Sequence, residues 1–430
     1  MYTLLSRLTG LSLDLFYRRR HLGGAVPREG ACLLVANHPN ALIDPVAVTR
    51  VAGRRVRLLA KAPLFSTPVV KWLVKGMGAL PVYRAKDGAD TSQNEETFRA
   101  VFDALASGEC IALFPEGISH HEPALQPLKT GAARMALGAC AREGFALDVK
   151  IVPVGLVYED KQLFRSELVT EVGAPLSALS YREAYEADPR AAAHALTADI
   201  DEALREVTLN LERWEDRALL ELAERAFPGA GEDRVKRVQA LANGARALRE
   251  RDPARHEALR AKVERFRRRL EELGLSPDHV DARYSPTAVL AFLARNLVAL
   301  LVGLPVALLG ALAYLVPYGV ARFVPKLFRT EPDLLSSIRV LISLVVFPAW
   351  HAALASSLTY AFGWRLALPL GVVLPFAGLY AARFLDKRMK AARDAWTFVR
   401  TLLSGRMRAE LTEEREALAR EIDDVAGLLR

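Results

Sequence analysis

A histidine and an aspartate lie close together near the start of the chain, in the segment "ANHPNALIDP". An apolar run precedes them, so we expect His38 at a strand-to-helix turn, with Asp44 six positions later. An imidazole that titrates near neutrality can take the proton of a hydroxyl group. A carboxylate on the other ring nitrogen would fix the tautomer and stabilise the imidazolium. The pair therefore indicates a general base that activates an alcohol.

A second group of polar residues follows other apolar runs. "GALPVYR" ends in Arg84, "LAKAPLF" contains Lys61, and "LFPEGISHHEP" carries Glu116 and Gly117. Lys129 lies just beyond, in "LKTGAARMAL". If these runs are neighbouring strands, their ends bring together a histidine, two carboxylates and several cations. Open α/β sheets bind their ligands at that edge.

Short apolar runs alternate with helix-like stretches, which predicts an α/β fold for this part of the chain. The clearest helix is predicted from about Gln93 to Ser107, with Val101 and Leu105 on its buried face. Because the runs are apolar throughout, we expect a sheet that helices cover on both faces. The predicted strands are Ala31–Ala36, Val56–Ala60, Ala79–Tyr83, Cys110–Phe114 and Lys150–Val157.

In this order the segments resemble those of the phospholipid/glycerol acyltransferase family. The family has a His–Asp box, a Gly–Arg box, an FPEG box and a final proline-containing strand, here "IVPVG". The resemblance covers about residues 30–175. It implies transfer of a fatty acyl chain onto a glycerol phosphate, with His38 and Asp44 as the catalytic pair. It also assigns Arg84, Glu116 and Gly117 to the acceptor site.

Two departures from the family pattern lie in these boxes. Five residues separate His38 from Asp44 where the family usually has four. The FPEG box continues with Ile118-Ser119-His120 in place of Thr-Arg-Ser, so a phosphate-binding arginine is missing. Both variants resemble the branch that contains glycerol-3-phosphate and dihydroxyacetone-phosphate acyltransferases.

The acceptor is expected to carry a phosphate, since cations converge on the strand ends. Arg84, Lys129 and Lys61 are the candidates to bind it, and an arginine can grip two phosphate oxygens at once. Ser119 is a further candidate for substrate contact. The branch resemblance favours glycerol 3-phosphate or dihydroxyacetone phosphate, with 1-acylglycerol 3-phosphate as the alternative.

The sequence offers no obvious covalent nucleophile. It has no GxSxG segment and no cysteine beside His38. We therefore expect the acceptor hydroxyl to attack the thioester directly; the thiolate leaves readily because a thiol has a pKa of about 8.5. The donor would be an acyl thioester of coenzyme A or acyl carrier protein, and no other cofactor is expected. Nor is a metal, because His120, His121 and Glu122 lack the H-E-x-x-H spacing.

The composition favours some partners over others. The chain has 58 Lys+Arg and 50 Asp+Glu, a net charge of +8, which suits anionic lipid or phosphorylated substrates. It carries no nucleic-acid-binding signature, so nucleic acid is not an expected partner. Three scattered cysteines without a CxxC motif fit a reducing compartment. The oligomeric state is left open.

A strongly apolar block begins near residue 286. Leu297–Val320 is 24 residues without a charge, long enough to span a bilayer, and Val340–Trp364 and Leu366–Ala382 follow. Arginines and lysines crowd the exit after the last run, which places that end in the cytoplasm. We expect an integral membrane protein whose catalytic domain and C-terminal helix both face the cytoplasm.

Five segments are predicted along the chain. Residues 1–25 would be an amphipathic membrane-surface helix, because Leu4, Leu8, Leu11 and Leu15 recur at helical spacing; packing against the domain is the alternative. Residues 26–190 would form the acyltransferase domain, 191–285 a charged helical segment, 286–385 the membrane-embedded helices and 386–430 a cytoplasmic helix.

Two further questions have alternative answers. The first apolar run could be a re-entrant or interfacial hairpin, with Val340–Ala382 turning near Gly363. Otherwise Leu297–Val320 and Val340–Tyr360 would both cross, with Leu366–Ala382 at the interface. For function, the rivals are an inactive lipid-binding or transfer protein on the same fold, and a scaffold whose membrane block carries the activity.

Overall fold

The structure, a computed structural model, describes residues 1–66, 68–84, 92, 94–211, 213–226, 233–273, 286–327, 332–401 and 405–428. The chain forms two compact units. The first comprises Met1–Glu212 and Arg329–Val340, and the second comprises Arg213–Phe328 and Leu341–Arg430.

The first unit alternates strands and helices, as the apolar runs predict. Its strands are β1 (Arg18–Gly23), β2 (Cys32–Ala36), β3 (Val56–Lys61), β4 (Leu80–Val82), β5 (Cys110–Leu113), β6 (Lys150–Tyr158), β7 (Glu167–Val172) and β8 (Leu176–Ser177). Its helices are α1 (Tyr2–Phe16), α2 (Ile43–Ala52), α3 (Pro68–Gly76), α4 (Asn94–Ala106), α5 (Gly131–Arg142), α6 (Arg182–Ala187) and α7 (Pro189–Val207). Short 3₁₀ turns cover Ala62–Phe65 and Ala178–Tyr181.

The strands form one eight-stranded sheet in the order β1-β7-β6-β2-β5-β3-β4, with β8 beside β6. Strands β6, β2, β5, β3 and β4 run parallel to one another, whereas β7 and β8 run antiparallel to β6. The C-terminal ends of the five parallel strands therefore meet at one edge of the sheet. That edge carries the polar residues that the sequence places after the apolar runs.

Helices cover the sheet on both faces, as predicted. On one face Leu33 and Ile111 pack against α4, α5 and α7, and on the other Leu34 and Ala112 pack against α1 and α2. Successive residues of a strand point to opposite faces, and helices cover both faces, so all four side chains are almost completely buried. The helix predicted at residues 93–107 is α4, which Val101 and Leu105 bury against this core.

The N-terminal segment is a helix only in part. Helix α1 ends at Phe16, and Arg18–Gly23 form β1, which pairs with β7 at the edge of the sheet. The single helix predicted over residues 1–25 is therefore wrong after residue 16, because the backbone of the arginine-rich stretch joins the sheet. Leu5 and Leu13 are buried against the domain, whereas Leu4, Leu8, Leu11 and Leu15 remain exposed.

The predicted boundary between the α/β domain and the charged helices also needs correction. Helix α7 lies beyond residue 190, yet its Leu196, Ile200 and Leu204 are buried in the core beneath the sheet. Residues spaced by four form one face of a helix, so this charged-looking segment has an apolar stripe that the sheet covers. The first unit accordingly continues to Glu212.

The second unit contains a helical bundle and the apolar block, apart from Arg329–Val340, which belong to the first unit. The bundle consists of α8 (Trp214–Ala226), α9 (Arg234–Arg251), α10 (Pro253–Leu273) and α14 (Gly405–Leu428). Phe266 and Leu270 of α10 pack with Leu411 and Leu418 of α14. Ion pairs also join these two helices, for example Lys262 with Glu421 at 2.6 Å. The residues after 386 are therefore the end of a long helix followed by α14, rather than one separate helix.

The apolar block consists of three helices, α11 (Pro286–Phe323), α12 (Pro332–Phe362) and α13 (Trp364–Thr401), with a 3₁₀ turn at Val324–Leu327. Leu290–Phe323 and Trp364–Ala381 are the described stretches long and apolar enough to cross a membrane. The re-entrant hairpin predicted for the first run is wrong, because α11 continues unbroken. A helix boundary lies where the second hairpin was predicted to turn, since α12 ends just before Gly363 and α13 begins just after it.

Helices α11 and α13 pack closely and antiparallel. A Cβ on Gly303 would lie 2.2 Å from the hydroxyl of Tyr380, and a Cβ on Gly310 would lie 2.1 Å from the carbonyl oxygen of Ala377. The contacts move toward the start of α13 as they move toward the end of α11. Small residues at such positions let two apolar helices approach backbone to backbone.

Candidate active site

The structure brings His38 and Asp44 together at the carboxyl edge of the sheet. His38 follows β2, Asp44 is the second residue of α2, and Nδ1 of the imidazole lies 2.9 Å from Oδ2 of the carboxylate. The loop is one residue longer than the family's, and within it Ala41 has a φ of 24°, which residues other than glycine rarely adopt. The longer loop thus still delivers the paired geometry.

Asp44 is completely buried and receives hydrogen bonds from several elements. The backbone N–H of Asn40 donates to Oδ2 at 2.6 Å, and the hydroxyl of Tyr158, at the end of β6, donates to Oδ1 at 2.6 Å. The amide of Asn40 in turn donates to the hydroxyl of Tyr17 at 3.2 Å. Burial raises the pKa of the Tyr158 hydroxyl well above its ordinary value, which keeps it a donor.

The imidazole of His38 is also held by an aromatic contact. Its ring stacks on that of Phe114, with centroids 3.9 Å apart and planes 12° from parallel. The side chain is 17% exposed, and no described residue forms a hydrogen bond with Nε2. One ring nitrogen is therefore oriented by the protein, while the other remains available to a ligand.

Glu116 lies beneath the His38 loop. Its side chain is completely covered, and its Oε1 accepts the backbone N–H of His38 at 2.8 Å. Oε2 accepts the backbone N–H of Gln126 at 2.8 Å and also bonds Nε2 of His120. The place of Glu116 in the acceptor site stays a prediction. In the structure its side chain is buried and both oxygens are engaged by protein groups, one of which is the backbone N–H of His38.

His120 forms a second histidine–carboxylate pair, with Glu116. Its Nδ1 accepts the backbone N–H of Glu122 at 3.1 Å, so both ring nitrogens are engaged within the protein. The backbone N–H of His120 donates to the carbonyl oxygen of His38 at 3.2 Å. Across the part of the chain that the structure describes, no group of three or more His, Cys, Asp or Glu side chains could hold a metal ion.

Two cations meet at Gly117. Nη1 of Arg84 donates to the Gly117 carbonyl oxygen at 2.7 Å, and the side chain of Lys129 lies 3.0 Å from where a Cβ on Gly117 would be. Gly117 has a φ of 71°, which a side chain would strain, and the lysine occupies the space that the missing side chain leaves. Positive charge is thereby concentrated one residue from the carboxylate that supports His38.

The remaining predicted residues are less closely tied to this cluster. Lys61 is the last residue of β3 and exposed, and Ser119 is half-buried in the loop after β5. Neither side chain forms a hydrogen bond with a described residue, so substrate contact by either one stays a prediction. The guanidinium carbon of Arg134, near Lys129 in sequence, lies 5.0 Å from the ring centroid of Phe98, a residue of α4.

Tyr158, Phe114, Asn40 and Tyr17 were not predicted as site residues from the sequence. Phe114 ends the predicted strand Cys110–Phe114 and Tyr158 directly follows the predicted strand Lys150–Val157, positions that are typical of core residues. One signal was present: a buried tyrosine must place its hydroxyl against a partner.

Comparison with known proteins finds a family model and relatives that match this region. Residues 19–157 match the family model described as Acyltransferase. Glycerol-3-phosphate O-acyltransferase 2 of Saccharomyces cerevisiae is 39% identical over 140 residues, which is 32% of this chain and 19% of the relative. Glycerol-3-phosphate O-acyltransferase 1 of the same yeast is 36% identical over 133 residues, 30% of this chain and 17% of the relative.

A plant relative is named for a different acceptor. A chloroplastic 1-acyl-sn-glycerol-3-phosphate acyltransferase of Brassica napus is 26% identical over 126 residues, 29% of this chain and 33% of the relative. The chain thus spans a third or less of the length of each of these three relatives.

The position of Glu116 leads to a stability prediction. Glu116→Gln replaces one carboxylate oxygen with an amide that faces a backbone N–H, so a buried donor loses its acceptor. Such a loss costs about 1–3 kcal/mol. We expect a lower apparent melting temperature for the detergent-purified chain. Glu122→Gln, two residues beyond His120 and exposed, is the matched control and should melt like the wild type. Equal melting of both variants would contradict the supporting role of Glu116.

Proposed function

We propose that the chain is a membrane-bound enzyme that acylates glycerol 3-phosphate or dihydroxyacetone phosphate, because residues 19–157 match the family model described as Acyltransferase. The acyl donor is a thioester, and the product enters phosphatidic acid and phospholipid synthesis. The observation that carries the proposal is the His38–Asp44 pair. Its imidazole has one nitrogen held by a buried carboxylate and the other available.

The proposed reaction uses His38 as a general base. Nε2 takes the proton of the acceptor hydroxyl while the hydroxyl oxygen bonds to the thioester carbonyl carbon. The C–S bond then breaks, and the leaving thiolate receives the proton from His38. Asp44 stabilises the imidazolium that exists between these steps. The route needs no acyl-enzyme, in keeping with the burial of all three cysteines.

The acceptor phosphate would bind where Arg84 and Lys129 meet at Gly117. A guanidinium and an ammonium together provide the charge-assisted hydrogen bonds that a phosphate requires. The names of the two yeast relatives favour glycerol 3-phosphate, and the name of the Brassica relative supports 1-acylglycerol 3-phosphate as the alternative. An inactive lipid-binding or transfer protein is the second alternative. Coenzyme A and acyl carrier protein both remain candidates for the donor carrier.

We also propose that the chain resides in a membrane, with its catalytic unit facing the cytoplasm. Support comes from the two apolar helices α11 and α13, which pack through glycines. Further support comes from α1, where Leu4, Leu8, Leu11 and Leu15 are all exposed. An apolar helix face of this kind can lie in the interfacial layer of a bilayer.

The orientation can be tested by cysteine labelling in sealed cells, because the native cysteines are buried. We expect Glu183→Cys, on α6, and Glu416→Cys, on α14, to react with an impermeant maleimide only after permeabilisation. Reaction of either in sealed cells would contradict the cytoplasmic assignment. Leu327→Cys, between α11 and α12, distinguishes two topologies. If two helices cross the membrane, this cysteine reacts from outside; if the helices form an interfacial pair, it does not.

The acceptor site can be tested with purified protein and a panel of acceptors, offered with both donor thioesters. We expect transfer to glycerol 3-phosphate, and a KM for this acceptor raised about 10–100-fold in Arg84→Ala, because a charge-assisted hydrogen bond contributes about 1.5–3 kcal/mol. The donor's KM should stay nearly constant, since the lost contact touches only phosphate.

Arg142→Ala is the matched control, since Arg142 ends α5 and pairs with Asp103 at the surface. It should leave both KM values unchanged. Equal transfer to monoacylglycerol and glycerol 3-phosphate would contradict the phosphate site. A preference for 1-acylglycerol 3-phosphate would change the acceptor within the proposed class, and no thioester consumption at all would favour the inactive alternative.

A further inference from the structure

The second oxygen of Asp44 has a partner of its own, and this partner suggests a role beyond packing. We propose that Tyr158 is a positioning residue, whose hydroxyl orients the Asp44 carboxylate and, by sharing its negative charge, sets the basicity of His38. The inference rests on the proposed function, in which His38 is the base.

The geometry separates the two oxygens of Asp44. Oδ1 accepts from the Tyr158 hydroxyl at 2.6 Å, whereas Oδ2 faces Nδ1 of His38 at 2.9 Å and accepts the N–H of Asn40 at 2.6 Å. With one oxygen fixed from β6 and the other from the His38 loop, the carboxylate cannot rotate without breaking a bond on each side. Tyr158 is itself 4% exposed, so water has little access to replace its hydroxyl.

The hydroxyl remains a donor throughout the working pH range. Burial raises the pKa of Tyr158 well above its ordinary value, and the neighbouring Asp44 raises it further. A hydrogen bond to a charged group stabilises that charge and leaves less of it to attract other protons. Removing the hydroxyl should therefore strengthen the pull of Asp44 on the imidazolium and raise the pKa of His38.

Other titratable or charged groups lie near this cluster, and the substitution leaves them in place. They are Tyr17 after α1, Glu116 and His120 after β5, Asp160 and Lys161 after β6, and Arg339 in α12.

Tyr17 provides a matched control in the same network. Its hydroxyl accepts from the Asn40 amide at 3.2 Å and donates to the carbonyl oxygen of Lys161 at 2.5 Å. Its ring packs edge-on against that of Tyr158, with centroids 5.4 Å apart. Both tyrosines are buried, but Tyr17 forms no hydrogen bond with Asp44. Tyr17→Phe thus removes a comparable hydroxyl without touching the carboxylate.

The test compares Tyr158→Phe with Tyr17→Phe in the full chain. The chain has eight histidines, so the ring signals of histidine-labelled protein can be followed by NMR, and His38→Gln identifies that of His38. We expect Tyr158→Phe to raise the titration midpoint of His38 by up to about one pH unit, a tenfold change in its protonation equilibrium. The acidic limb of kcat/KM should move in the same direction. Tyr17→Phe, which removes no hydrogen bond to Asp44, should leave the His38 midpoint unchanged.

Two further variants complete the test. In an Asp44→Asn background, Tyr158→Phe should cause no additional shift, because the effect acts through the carboxylate. Site-specific 3-fluorotyrosine at position 158 keeps the ring and gives a stronger donor, so it should lower the midpoint even if the phenylalanine variant fails to fold.

An unmoved His38 midpoint in Tyr158→Phe, or an equal shift in Tyr17→Phe, would overturn the positioning role. The midpoint is read without any turnover. If Tyr158→Phe shifts the His38 midpoint as expected but the wild-type chain transfers no acyl group, only the proposed function is overturned.

Discussion

A carboxylate buried away from water is stable only if hydrogen bonds or a positive charge compensate for its lost hydration. Asp44 meets this requirement with the N–H of Asn40, the hydroxyl of Tyr158 and the imidazole of His38. Its place in the first turn of α2 adds the favourable end of the helix dipole. Asn40 and His38 lie in the loop after β2 and Tyr158 at the end of β6, so the buried charge couples the arrangement of the site to the pairing of these two strands.

The parallel order of β6, β2, β5, β3 and β4 makes that assembly work, because it brings five strand ends to one edge. β2 leads to His38, β5 to Phe114 and Glu116, and β6 ends at Tyr158. Glu116 ties the loop after β5 to the His38 backbone, and the ring of Phe114 lies against the imidazole. Gly117, directly after Glu116, is where Arg84 and Lys129 meet. The loop after β5 therefore supports both the base and the positive charge.

Apolar runs predicted β2, β3, β4, β5 and β6, and helical periodicity predicted α4, because a local pattern specifies each of them. The pairing of His38 with Asp44 was predicted from the chemistry of the two residues and from the family resemblance, whereas β7 was not predicted. The partners contributed by neighbouring strands could not be predicted in the same way. Tyr158 directly follows the predicted strand Lys150–Val157, and only the pairing of β6 with β2 brings its hydroxyl to Asp44. The family resemblance assigned Glu116 to the acceptor site, and the sequence does not reveal which groups its carboxylate contacts in the fold. The arginine-rich β1 lacks apolar alternation, since it lies at the edge of the sheet.

The central claim is that a histidine held by a buried aspartate acts as the general base for acyl transfer. Its most direct test is the rate of acyl transfer to glycerol 3-phosphate by purified His38→Ala, beside His194→Ala on the exposed face of α7. A general base typically contributes 10²–10⁴-fold, so turnover should fall by about that factor in the first variant and stay unchanged in the second. If His38→Ala melts normally and keeps more than about a tenth of wild-type turnover, His38 is not the base.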